Sequence, residues 1–207
     1  MTDLGTVSER SSVALAINSR GQIVGGADGI PIKWEKGVIV PLPLPTGGTY
    51  CAVLKINAAG RAVGQCTVDN TARAVLWDRG GVSELGTSDE GLVTATGINA
   101  SGAVIGLSFP SEGGARPFLW DRGTVTDLST QGAPAGFIPN GINARGQIAG
   151  HYGGGDQVHA ALWQRGETID LSVPGIDNYV SDINASGQVV GYTVAGNGYH
   201  AVLWTRK

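Results

Sequence analysis

Apolar residues along this chain fall in short runs divided by turn-forming residues, and the runs recur in a fixed order. Ile-Asn followed by glycine three residues after the asparagine occurs at Ile17-Asn18…Gly21, Ile56-Asn57…Gly60, Ile98-Asn99…Gly102, Ile142-Asn143…Gly146 and Ile183-Asn184…Gly187. Four residues beyond each of these glycines stands another: Gly25, Gly64, Gly106, Gly150 and Gly191. Trp34, Trp77, Trp120, Trp163 and Trp204 follow in phase, one per copy, at intervals of 43, 43, 43 and 41 residues. Such a period marks a repeat architecture.

Each copy reads as four short strands. The first runs into Ile-Asn, the second is Gly-Gln-Ile-Val-Gly or a variant, and the third ends at tryptophan, as in Ala74-Val75-Leu76-Trp77. The fourth resembles Val125-Thr126-Asp127-Leu128. Asn-x-x-Gly between the first two strands predicts a type I turn closed by a left-handed glycine bulge. In that register Ile17, Ile98, Ile142 and Ile183 face Ile23, Val104, Ile148 and Val189. Without the bulge they would face Gln22, Ala103, Gln147 and Gln188, which are poorer cross-strand partners.

The fifth copy ends after its tryptophan, while Met1-Thr2-Asp3-Leu4 matches Val125-Thr126-Asp127-Leu128 position by position. A ring gains from that arrangement, because an N-terminal strand that completes the last sheet removes an open edge. The expected fold is all-β: a five-bladed β-propeller with four antiparallel strands per blade. Its blades span about 13–44, 50–86, 93–129, 137–172 and 178–207 plus 1–5. Closure leaves no free edge and predicts a monomer.

Composition agrees. Glycine makes up 34 of 207 residues, about twice ordinary usage, which disfavours helices. The 42% apolar content is enough to build a core. A net charge of −3 with scattered Lys and Arg supplies no basic stripe for nucleic acid. No apolar run approaches the length of a membrane helix. Met1–Gly5 lacks the features of a secretory signal, so the chain as written is expected in the cytoplasm, or outside the cell if a leader has been removed.

The pattern Ile-Asn-x-x-Gly-Gln-Ile-Val-Gly, then His-Ala-x-x-Trp, then Thr-Asp-Leu resembles the His-Ala-Phe (HAF) repeat family over the whole chain. His159-Ala160-Ala161-Leu162-Trp163 and His200-Ala201-Val202-Leu203-Trp204 match best. Arg73, Arg116 and Ile30 replace the histidine elsewhere, and the phenylalanine is kept only at Phe118. The resemblance implies repeats that are usually extracellular and share no common activity.

The long loops that join the second strand to the third, and one blade to the next, lie on one face. They include 65–70, 108–114, 152–158, 87–93, 131–139 and 172–178. Function concentrates on such loops when a rigid scaffold holds them. At the residue before each Ile stand Ala16, Lys55, Gly97, Gly141 and Asp182, and one residue earlier Leu15, Leu54, Thr96, Asn140 and Ser181. Lys55 and Asp182 are candidate acid–base or electrostatic groups, with the ion pair or solvated charge as the plainer reading. Thr96, Asn140 and Ser181 are candidate ligand contacts near the channel mouth, with Tyr179, Phe137 and Tyr152 as aromatic platforms.

Two functions fit. One is a binding module for a small molecule, glycan or protein on the loop-rich face. The other is a cofactor-independent lyase, isomerase or cyclase that uses Lys55 and Asp182. No cofactor, metal or nucleotide motif is recognised: Gly-x-Ser-x-Gly and Gly-x-x-x-x-Gly-Lys are missing, and His151, His159 and His200 read as structural. In the single-bulge register Cys51 faces Thr67, so Cys66 points to the other side of the sheet and two free thiols are expected.

Overall fold

The computed structural model describes residues 2–7, 10–86, 92–110, 114–196 and 198–205. Among these residues nineteen strands build five antiparallel sheets in which neighbours in the chain are neighbours in the sheet. The first sheet holds β1 (Ser12–Ile17), β2 (Ile23–Ala27), β3 (Ile30–Glu35) and β4 (Val38–Pro41). The second holds β5 (Gly48–Ile56), β6 (Ala62–Val68), β7 (Thr71–Asp78) and β8 (Gly81–Glu84). The third holds β9 (Leu92–Ile98), β10 (Val104–Ser108), β11 (Arg116–Asp121) and β12 (Thr124–Asp127), followed by a 3-10 turn at Leu128–Gln131. The fourth holds β13 (Ile138–Ile142), β14 (Ile148–Gly154), β15 (Gln157–Gln164) and β16 (Glu167–Asp170). The fifth has three strands, β17 (Asp177–Ile183), β18 (Val189–Ala195) and β19 (Gly198–Trp204).

The Asn-x-x-Gly turns form as expected. In all five the glycine N–H donates to the asparagine carbonyl, at 3.0–3.1 Å. Each glycine has a positive φ, from 74° at Gly21 to 93° at Gly102, a conformation that glycine adopts without a Cβ penalty. Ile17, Ile98, Ile142 and Ile183 pair with Ile23, Val104, Ile148 and Val189.

The asparagine does two jobs. Its Oδ1 accepts backbone N–H groups of its own turn, as Asn57 Oδ1 does from Ala59 and Arg61 at 3.0 Å. Its Nδ2 donates to the carbonyl of the next asparagine in the series. Asn18 donates to Asn57 at 2.9 Å, Asn57 to Asn99 at 3.0 Å, Asn99 to Asn143 at 3.1 Å and Asn143 to Asn184 at 3.2 Å. An amide can accept inside its turn and donate across a seam, whereas a carboxylate can only accept, which is why asparagine recurs and aspartate does not.

A second bulge recurs one step into every first strand. The ladder skips Leu15, Leu54, Thr96, Asn140 and Ser181. This accounts for the second glycine of the motif. A Cβ at Gly25, Gly64, Gly106, Gly150 or Gly191 would overlap the carbonyl oxygen of Val13, Ala52, Thr94, Ile138 or Tyr179 on the bulged strand. The same bulge overturns the expectation of free thiols. Skipping Leu54 shifts the pairing by one, so Val53 meets Gly64 and Cys51 lies directly opposite Cys66. The two form a disulfide.

The core consists of four seams, each between successive sheets. Val24 packs on Cys51, Val53, Val75 and Trp77; Val63, Ala74 and Leu76 on Ala95, Val104 and Phe118; Ile105 and Leu128 on Phe137, Ile148 and Trp163; and Ala149 and Leu162 on Val180 and Val189. Trp77 and Trp163 also donate from Nε1 to the carbonyls of Pro43 and Gln131 in the preceding unit, both at 2.8 Å. Among the described residues no comparable cluster joins the fifth sheet to the first. Ile17 on β1 is 66% exposed and Leu203 on β19 is 57% exposed. Residues 2–6 form no strand. Leu4 and Gly5 instead border a small crevice with Ile23, Gly25, Ile32 and Trp34 of the first sheet.

Candidate functional site

The first strand of every sheet reaches one shared cavity of about 450 Å³. Its wall contains Ile17, Ile56, Ile98, Ile142 and Ile183, one from each Ile-Asn motif, together with Leu15, Ala16, Gly97 and Gly141. Three polar side chains share this wall: Lys55, Asn140 and Asp182. The five sheets are therefore disposed around a common axis with their first strands innermost.

Lys55 is half-buried and comes from the second sheet; Asp182 is exposed and comes from the fifth. The two are not ion-paired. Asp182 Oδ1 accepts the backbone N–H of Ile183 at 2.8 Å. It has room because residue 141 is glycine: a Cβ there would lie 2.6 Å from that oxygen. Asn140 is the bulge residue of β13, and its Oδ1 is buried with no hydrogen-bond partner.

The other expected contacts are placed differently. Thr96 is occupied in a seam, its Oγ1 donating to the Pro139 carbonyl at 2.8 Å. Ser181 is an exposed bulge residue and does not line the cavity. Phe137 is 1% exposed within the third seam; its ring has no face for a ligand, because the seam that a phenylalanine fills best is the one between blades. Tyr152 stacks on His159 with centroids 5.2 Å apart. Tyr179 stacks on Tyr192 at 4.9 Å and meets the edge of His151 at 5.3 Å, and Tyr192 continues to Tyr199 at 5.6 Å. Loops at 87–91 and 111–113 lie outside the described residues.

The aromatic row from His151 to Tyr199 was not anticipated as a unit. Its signal is that His151 and Tyr192 occupy one repeat position, directly after the second glycine. Gly26 holds that position in the first sheet, and an apolar cleft of about 280 Å³ between the first two sheets opens there, beside Tyr50 and Val53. Burial holds the His151 imidazole below its ordinary 6.5, and its Nδ1 has no partner. His159 Nε2 donates to the Gly154 carbonyl at 3.3 Å, and its Nδ1 lies 3.3 Å from Ser172 Oγ. Ser172 also hydrogen-bonds Asp170, which holds that carboxyl below its ordinary range. Arg73 and Arg116 face Glu84 and Asp127 at 3.9 and 3.6 Å, so the outer strands do not form an open cationic band. Among the described residues no group of three His, Cys, Asp or Glu side chains is arranged to hold a metal, and no helix is long and apolar enough to cross a membrane.

Solved structures share this architecture. A chain from Agrobacterium tumefaciens assigned as a TolB superposes with a TM-score of 0.68 and 11% identity, over 93% of this chain and 76% of that one. TolB from Acinetobacter baumannii gives 0.63 and 19% identity over 93% of this chain, which spans only 51% of that protein. A gluconolactonase from Xanthomonas campestris gives 0.54 and 11%, covering 89% of this chain and 69% of that one. At these identities the likeness establishes a fold, and the class is the β-propeller. No family model matches the chain, that of the HAF repeats included, and no curated protein does.

Proposed function

We propose that the protein is a binding module that holds a small molecule in the axial cavity, with Lys55, Asp182 and Asn140 as its polar contacts. One observation carries this reading: three polar side chains from three blades line one cavity without forming ion pairs with one another. Placed polar groups that converge from separate elements on one concavity are a usual feature of a ligand site. The same pair could serve an enzyme, but Lys55 and Asp182 are not in contact, so no proton passes directly between them. Binding is the better reading. A thermal-shift screen of sugars, organic acids and amino compounds tests it, since a ligand specific to the folded state raises the midpoint. The expected result is a hit that Lys55→Met or Asp182→Asn abolishes. No hit, or a hit indifferent to both substitutions, overturns it.

We further propose that residues 1–5 close the ring as the fourth strand of the last blade, giving a monomer. Leu85, Leu128 and Leu171 end or follow the fourth strands of their blades and pack into the next seam. Leu4 borders a crevice with Ile23, Ile32 and Trp34 of the first sheet, which supports this reading. The repeats read as divergent HAF units, and the Cys51–Cys66 disulfide favours an oxidising compartment over the cytoplasm.

A further inference from the structure

We propose that the axial cavity selects a zwitterion: a compact ligand with an anionic group at one end and an ammonium at the other. The inference rests on the binding-module reading and specifies its ligand. The polar groups of the cavity are segregated by sign. Asp182 on β17 and Asn140 on the adjacent β13 put acceptors on one side, where Gly141 leaves the carboxylate its space. Lys55 on β5, from a blade that does not neighbour the fifth along the chain, supplies the sole cation of the wall. Between them the lining is isoleucine, leucine, alanine and glycine.

A simple anion drawn to Lys55 would share the cavity with the Asp182 carboxylate, and a simple cation drawn to Asp182 would share it with the Lys55 ammonium. Each is opposed by the charge it leaves unmatched. A neutral sugar satisfies neither charge. A ligand bearing both charges satisfies Lys55 and Asp182 together.

Calorimetric titration of the full chain with glycine, 4-aminobutyrate and 6-aminohexanoate tests this, with butyrate and butylammonium as single-charge controls. One of the amino acids is expected to bind at least about tenfold tighter than either control, as a charge-assisted hydrogen bond implies. Lys55→Met and Asp182→Asn should each weaken it by about tenfold or more, with unchanged circular dichroism spectra. The exchanged pair Lys55→Asp with Asp182→Lys should recover affinity, since a zwitterion can reverse. Butyrate or butylammonium binding as tightly as the amino acids overturns the proposal, as does indifference to both single substitutions. Lys55-dependent binding of a sugar or a simple acid, with no amino acid bound, overturns the zwitterion while leaving the binding module standing. No ligand in the cavity at all overturns both.

Discussion

At the scale of single residues, the asparagine of each turn carries more of the fold than its size suggests. Asn99 is buried, its Oδ1 accepts the N–H of Ala103 at 2.9 Å, and its Nδ2 donates across the seam to Asn143. Asn99→Asp keeps the acceptor and removes only the donor, setting a carboxylate against a carbonyl. The expected loss is about 3 kcal/mol, as for other uncompensated buried charges, read from the urea midpoint. His151 gives a second prediction. Burial lowers its folded pKa below the ordinary 6.5, so the unfolded state binds the proton more readily. Its neutral form is favoured in the folded state at no cost above pH 6.5, and stability falls as pH drops from there towards the folded value. His151→Gln should flatten the stability profile in that window; an unchanged slope would assign the titration elsewhere. Asn-x-x-Gly was legible as a turn, because local backbone geometry dictates it. The donation of Nδ2 to another blade was not, because it depends on where a neighbour 39 to 44 residues away comes to rest.

At the scale of the strand pair, the second bulge decides which side of the sheet each inner residue takes. Counting from the Ile-Asn turn alone puts Cys51 opposite Thr67, and one skipped residue at Leu54 puts it opposite Cys66. The clue lay in the second glycine, whose recurrence had no explanation until the close approach of the bulged carbonyl supplied one. Gly106→Ala should therefore be costly: the methyl meets the Thr94 carbonyl and the Phe118 ring together. A loss of about 2 kcal/mol or more is expected, in the upper range for overpacking a tight site, against little change for Gly114→Ala, which has open space around it. The disulfide closes a separation of 15 residues and should contribute about 3 kcal/mol. Denatured, unreduced protein should show no free thiol, and Cys51→Ser with Cys66→Ser should lower the thermal midpoint. The candidate site was legible to the same depth as the strands. Lys55, Asn140 and Asp182 interrupt an otherwise repetitive position, and all three line the cavity. The surroundings of Thr96 and Phe137 are set by the seams, which are not local and do not show in the sequence.

At the scale of the whole molecule, five copies of one motif produce four seams among the described residues, and closure would supply a fifth. Four asparagine donations run from Asn18 to Asn184, and then the series stops: Asn184 Nδ2 donates only to Gln188 in its own turn. The first and last blades thus present complementary halves of the same interface, with apolar β1 and β19 exposed beside them. Ends that expose apolar strands either meet within one chain or join chains head to tail. Leu4 borders a crevice on the first blade, a position from which closure within the chain is the shorter route. Three measurements then hang together. Asn184→Asp should destabilise the protein as much as Asn99→Asp does, although in an open ring an exposed turn residue would lose only a few tenths of a kcal/mol. Amides on the outer edge of β19 should be protected from hydrogen exchange in the full chain and lose that protection when residues 1–5 are deleted. Light scattering should report a monomer before deletion. A neutral Asn184→Asp with a monomeric, unprotected β19 would mean that the ring stands open. A dimer that deletion of residues 1–5 dissolves would mean that the closing strand comes from a second copy.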